Sequence, residues 1–399
     1  MGHNRSRTAR GRPRRKPRAR SRTARPSAGR SPEAAQADAR TAQAEADERF
    51  VIREVRPADL EAIVQLAQHL DSVNMPHDPA VLQASIRKAR RSFAGTEPDP
   101  TRRRYMFVLS GTETGRLGGT STIYAQHGHP DEPHVFFDVI DDERYSSTLD
   151  RHFSHVTLRL GFNYRGPSEI GALVLDPKLR SKGLGKALSF VRFLFMAMYR
   201  ERFRSHVIAE LMPPLEPDGT SLLWEHLGRT FTDLDYQAAD KLSHSNKEFI
   251  YALFPQMPLY ASLLPKKVQA LIGQVGPDTA PVRRMLEDIG FRYSRRIDPF
   301  DGGPHFEAEL DTVTPVRQAR RLRVSTESIP DELEGQVLNR GGHPDVERRL
   351  VAAGQAEGPT RFRAAMAGVR IEGGTLVLSP ATRKLLRLKA GGDVWTTSF

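Results

Sequence analysis

The stretch LDPKLRSKGLGKALSF, residues 175–190, constrains the fold more than any other part of the chain. Ahead of it, SEIGALVL has the length and composition of a buried strand. Asp176-Pro177 closes that strand. Arg180-x-x-Gly183-x-Gly185 then opens a segment whose apolar residues, Leu184, Leu188, Val191, Phe195 and Met198, recur along one helix face. A strand, a glycine-bearing turn and a helix in this order direct consecutive backbone N–H groups at one point, which makes an anion site. Gly183 and Gly185 let a pyrophosphate approach the main chain, and Arg180, Lys182 and Lys186 place charge around it. The plain alternative is a glycine-rich turn with solvated lysines.

The flanking sequence predicts a mixed α/β fold, a sheet flanked by helices. RFVIREVRPADLEAIVQLAQHL reads as a strand at Val51–Val55, Pro57 in a first helical turn, and a helix carrying Leu60, Ile63, Val64 and Ala67. DPAVLQASIRKARRSF is a second helix, and RYMFVLSGTETGRLGGTSTIYA is two strands joined by a turn. After the long helix, SHVIAEL is another strand. APVRRMLEDIGFRYSRRIDPF reads as a helix, a stop at Gly290 and a strand. Phe190, Phe193 and Phe195 are read as core packing against the sheet.

The net charge of +12 looks like a nucleic-acid signal until it is located. Residues 1–30 hold twelve Arg and Lys and no acid; taking these from the chain's 60 leaves 48, equal to its 48 acidic residues. Residues 1–48, rich in Arg, Pro, Ala and Ser, offer no apolar side chain large enough to build a core and are expected to be disordered. Solvated padding, a nonspecific nucleic-acid-binding arm through residues 1–30 and an Arg-rich targeting peptide are the readings open to them. Arg14-Arg15-Lys16 has no apolar segment after it, which argues against export. The absence of cysteine excludes disulfides, thiolate zinc sites and a Cys nucleophile. No apolar run approaches the ~18 residues a membrane helix needs. A cytoplasmic protein without membrane contact is the expectation.

In its strand-turn-helix setting the Arg180–Lys186 loop resembles the acyl-CoA pyrophosphate loop of the GCN5-related acyltransferase superfamily. VIREVRPADLEAI, SEIGALVLDPKLR, RFLFMAMYRERF, VIAEL, LLWEHLG, NKEFIYALFPQMPLYASLLP, LIGQVGPDTAP, GFRY and DPFDGGPHFEAE are together similar to the arginine N-succinyltransferase family, in the same order, over roughly residues 50–317. The resemblance implies succinyl transfer from succinyl-CoA to the α-amino group of arginine, in arginine catabolism. Succinyl-CoA or another acyl-CoA is then a co-substrate, with no permanently bound cofactor and no metal.

The chain departs from the family at informative places. Gly276 stands where the family has a histidine assigned as proton donor after Gly-Gln-Val, and a glycine side chain moves no proton. AELMPP keeps Glu210 but puts Met212 where the family has arginine. The family's His-Ala-Ser segment is replaced by YSSTLDRHFSHVTLRL, with His152 and His155 in a different frame. These mark a divergent branch, whose donor and acceptor are less constrained than its fold.

The reaction requires three groups. The resemblance implies that backbone at Leu173 and Val174, with Arg180, Ser181, Lys182, Gly183, Leu184, Gly185 and Lys186, holds acyl-CoA, the Leu173 N–H polarising the thioester carbonyl. Glu169 and Glu210, on adjacent strands, are the candidate bases; a strand-end carboxylate paired with a surface arginine is the bland reading of either. His206, His226, His244, His305 or Tyr236 is the candidate proton donor. Asp298 and Asp301 in IDPFDGGPHF are placed near a cationic substrate, the bland alternative being a tight turn at Gly302-Gly303 capped by Asp301. HGHPDEPH offers His127, His129, Asp131, Glu132 and His134 to a metal, but its prolines and irregular spacing read as a surface loop.

Residues 49–316 are thus expected to form the acyltransferase domain and 317–399 a small C-terminal α+β extension. There, RRLVAAGQ reads as a short helix and FRAAMAGVRIEGGTLVLSPATRKLLRLKAGGDVWTT as strand, turn, strand, helix, strand. GGTLVLSPATRKLLRLKAGGDV resembles the swapped-hairpin DNA-binding modules of the AbrB type; an enzyme cap or a homo-oligomer contact is the simpler reading. Two function classes follow: an acyl-CoA-dependent amine acyltransferase, and a catalytically altered relative acting as a DNA-associated or other binding protein.

Overall fold

A computed structural model of the chain describes residues 48–67, 78–130, 132–180, 182–243, 247–354 and 361–399. The basic tail lies outside these residues apart from Glu48, as do Ser181 and His244.

Strand β1 (Phe50–Glu54) turns at Pro57 into helix α1 (Leu60–Ala67). The turn is pinned by a buried ion pair: Arg53 donates to both Asp59 oxygens at 2.8 Å, and Asp59 also accepts the Arg56 N–H at 2.6 Å. Asp78 caps helix α2 (Pro79–Ala94), which ends at left-handed Gly95. Strands β2 (Arg104–Gly111) and β3 (Leu117–Tyr124) follow as a hairpin. Residues of β2 alternate between two cores. Tyr105, Phe107 and Leu109 meet helix α3 (Leu184–Met198), while Met106 and Val108 meet α1 and α2. Phe190, Phe193 and Phe195 are buried as read, at 5, 0 and 1% exposure.

Strand β6 (Ser168–Leu175) and strand β7 (His206–Glu210) are parallel neighbours joined by α3 as a crossover helix. They pair only at Ser168 with Val207 and Glu169 with Ile208, and part beyond that point. A second irregularity lies opposite, because Thr120 pairs with Val174 and Thr122 with Gly171, so Ala172 and Leu173 together face the single Ser121. Ala172 takes a left-handed φ of 46° to make this bulge.

On the far side of β7 run β10 (Pro304–Glu309), β9 (Arg292–Ile297), β4 (His134–Ser146), β5 (Arg151–Asn163) and the two-residue β8 (Leu259–Tyr260). The β4–β5 hairpin has no clear sequence signature. Its outer half pairs only with itself in solvent, so residues 141–155 carry no apolar alternation. Trp224, Phe137, Phe254 and Phe300 form a separate core beneath it.

Residues 317–399 add β11 (Arg320–Val324), β12 (Glu347–Ala353), β13 (Arg363–Glu372), β14 (Thr375–Val377) and β15 (Asp393–Ser398). The order β12-β15-β11-β14-β13 closes through a β12–β13 pairing, and β13 also pairs with β1 at Ile52 and Arg53. The strand, turn, strand, helix, strand reading of 362–397 holds, with the helix at Pro380–Leu386. RRLVAAGQ is corrected: it is strand β12. Leu350, Val351, Ala352 and Ala353 are all buried between β13 and β15, and a short apolar run buried on both faces has no periodicity to separate strand from helix.

Candidate active site

The site forms where β6 and β7 part. Glu169 ends the paired stretch on β6, and Glu210 lies just past it on β7. In neither does a surface arginine answer the carboxylate; each meets histidine. The loop after β3 is tied to the entry of β6 by His127 N–H to Pro167 O at 2.9 Å and Gly166 N–H to His127 O at 2.8 Å. It can come this close because Gly128 has φ 80° and a Cβ there would lie 2.1 Å from Asn163 O. His127 Nδ1 thereby stands 2.9 Å from Glu169 Oε2. His134, first residue of β4 and 3% exposed, places Nε2 3.0 Å from Glu210 Oε1. His305, opposite Glu210 in the β7–β10 ladder and 1% exposed, places Nε2 3.5 Å from the same oxygen.

The surface-loop reading of HGHPDEPH is therefore corrected. His129 and Glu132 stay at the rim, 3.4 Å apart, but the two outer histidines turn inward because Glu169 and Glu210 lie beneath them. Their rings stack: His127 on His134 at 4.2 Å and 18°, and His134 on His305 at 5.4 Å and 16°. Sequence spacing could not reveal this cluster, since its members come from a loop and four strands.

Electrostatics separates the members. Burial, then His127, lowers the His134 pKa to about 3, so His134 is neutral and donates its Nε2–H to Glu210. Burial works to raise Glu210, but His305 and His134 hold it well below the usual carboxylate range. For His127, burial works downward, yet the Glu169 carboxylate lifts the pKa above the ordinary histidine value.

Asp298 and Asp301 lie on the β9–β10 turn next to this cluster. Asp298 Oδ1 accepts the Phe300 N–H at 2.6 Å, and Asp301 Oδ1 accepts the Gly303 N–H at 2.7 Å, so both cap the turn. Burial, then Glu210, raises Asp298 to about 6; burial, then Asp298, raises Asp301 well above its ordinary value. Among the proton-donor candidates, His206 and His226 are exposed, and Tyr236 is buried with its hydroxyl pushed up by burial and Asp301. Of these candidates among the described residues, only His305 meets the carboxylate cluster.

Two triads have ligand atoms within 4.8 Å of one another: His127, His134 and Glu210, and Glu210, Asp298 and His305. In the first triad the stacking of His127 on His134 is unfavourable for a metal. An imidazole lone pair lies in the ring plane, and near-parallel planes do not converge on one ion ~2 Å from each nitrogen.

At the other end of β6, Gly183 caps α3 with φ 74°. Arg180, Lys182 and Lys186 are exposed, and no ion pair among the described residues engages them. Leu184 and Val174 are core residues, so only their backbone is available to a ligand. Arg348, from β12, reaches over Gly183 with its Nε buried and without a hydrogen-bond partner. Lys186 and Arg348 both lie against the Phe399 ring, at 5.1 and 4.9 Å. The residues fit a CoA pyrophosphate: a helix N-terminus, a glycine cradle and unanswered cations.

Two parallel strands that part around a bulge, with a cationic loop leading into the helix between them, define the GCN5-related acyltransferase class. The chain also matches the family described as arginine N-succinyltransferase beta subunit over residues 50–315. Arginine N-succinyltransferases of Salmonella paratyphi B and Salmonella typhimurium are 37% identical over 347 residues, covering 86% of this chain and 96% of theirs. That share exceeds what residues 1–316 can supply, so the likeness runs on into the C-terminal strands. The solved arginine/ornithine succinyltransferase subunit AI of Pseudomonas aeruginosa superposes with a TM-score of 0.73 at 28% identity, covering 88% of this chain and 99% of that one. The chain belongs to the arginine N-succinyltransferase family and is an acyltransferase. The DNA-associated alternative gains no support from these relatives. No helix among the described residues is long and apolar enough to cross a membrane.

Proposed function

We propose that the protein transfers the succinyl group of succinyl-CoA to the α-amino group of arginine. The observation that carries the acceptor is the acid-rich floor of the site. Glu210, Asp298 and Asp301 crowd together with no arginine among the described residues paired to any of them, and the pKa values of Asp298 and Asp301 are raised first by burial and then by the neighbouring carboxylates. A guanidinium placed there would relieve the repulsion and hold the carboxyls ionised. The succinyl donor rests on the family relationship. Acyl-CoA would lie with its pyrophosphate on residues 180–186 under Arg348 and its thioester between β6 and β7, where the bulge at Ala172–Leu173 frees a backbone N–H for the thioester oxygen. Holding amine and thioester in contact supplies ~7 to 11 kcal/mol of the barrier.

The test offers succinyl-CoA and acetyl-CoA with arginine, ornithine and lysine, and reads products by mass spectrometry. N-succinylarginine is the expected main product. A preference for acetyl-CoA, or for ornithine or lysine over arginine, would overturn the assignment.

A further inference from the structure

We propose that His305 is the group that moves protons during acyl transfer, with Glu210 held between it and His134. This rests on the acyl-transfer reading above. His305 Nε2 is buried, finds no hydrogen-bond partner, and faces Glu210 Oε1 at 3.5 Å. A buried ring nitrogen left unpaired is unfavourable unless something else is meant to meet it. His134 donates to the same Glu210 oxygen at 3.0 Å, which fixes the carboxylate beside His305. The β7–β10 register sets Glu210 and His305 directly opposite, so both side chains leave the sheet on one face. Gly276, tied to Met212 O just past Glu210, has no side chain to compete.

Neutral His305 takes a proton from the acceptor ammonium through Nε2, and the freed nitrogen pair attacks the thioester carbon. The C–S bond breaks with its electron pair going to sulfur. The imidazolium returns its proton to the CoA thiolate, and the second amine proton leaves to solvent. Ammonium and thioester thus become amide, thiol and one proton. Glu210 stabilises the imidazolium while it exists, and its contact is expected to shorten then. His134 acts through Glu210 and His305 and is a positioning residue, while Glu210 both holds His305 and faces the acceptor. The charged and titratable groups facing His305 are Glu210 from β7, His134 from β4 and Asp298 from the β9–β10 turn.

The experiment compares wild type with His305→Gln and His305→Ala, using succinyl-CoA and arginine. Expected is a ~10²- to 10⁴-fold loss of kcat in both variants with CoA affinity unchanged by calorimetry. Exogenous imidazole should partly restore His305→Ala, and KM for arginine should change far less than kcat in both variants. Melting curves confirm that the variants are folded. An active wild type with kcat retained within about threefold in His305→Gln overturns this proposal alone. So does wild-type activity lost to a chelator and regained with zinc, which would place an ion there instead. A wild type that transfers no acyl group overturns the function reading, and this proposal with it.

Discussion

Arg348 stands guard over Gly183: a Cβ built on the glycine would lie 2.7 Å from the arginine's Nη2. The two lie far apart in the sequence, and the contact brings β12 to the proposed CoA site. Truncating the guanidinium in Arg348→Ala should weaken CoA binding by ~10- to 100-fold, the worth of one hydrogen bond to a charged group, with kcat at saturation little changed. Calorimetry with CoA checks this; equal affinity would remove Arg348 from the site. Gly183→Glu should abolish binding, since it loads a left-handed position, collides with Arg348 and repels phosphate.

Asp298 gives the acceptor site a pH signature. Its folded pKa of about 6 lies above the unfolded value. The folded chain therefore binds the extra proton, and this carboxyl's contribution to stability, full below the unfolded pKa, is lost as pH rises through about 6. Arginine binding needs the ionised form, so its affinity should rise over the same interval. Asp298→Asn should weaken arginine binding and flatten that rise in a titration series from pH 5 to 8; an unchanged slope would detach Asp298 from the acceptor.

Restoring a histidine at Gly276 should not raise turnover. A Cβ there would lie 2.9 Å from Pro213 O and 3.2 Å from Met212 O, both main-chain atoms that cannot swing aside. Gly276→His is expected to lower the melting temperature and leave kcat at or below wild type. A clear gain in kcat would mean that the donor role is vacant in the native chain.

Asp59→Ala should destabilise by ~3 to 5 kcal/mol, because Arg53, 6% exposed, would keep its charge without a partner. Denaturant unfolding reads this. Replacing both residues by apolar ones of similar volume should recover much of the loss, as is usual when a buried pair is removed whole.

The sequence by itself determined what depends on neighbours along the chain. The Asp176-Pro177 stop, the glycines at 183 and 185 and the apolar spacing through Met198 act within a few residues, so the strand, loop and helix of the proposed CoA site were legible, as was the burial of Phe193. The placing of Glu169 at the start and Glu210 at the end of short apolar runs was legible too, and the family resemblance implied that those strands are neighbours. Tertiary structure alone decided what surrounds them. His127 and His134 sit in a polar, proline-broken stretch, and only the pairing of β4 with β9, which in turn pairs with β10, carries that stretch over the two carboxylates. β12 carries no alternation because it is buried on both faces, and the approach of its Arg348 to Gly183 follows from strand pairing alone. Local chemistry sets which backbone forms a chain prefers; which distant side chains share a desolvated site depends on strand order and register, which no short window of sequence contains.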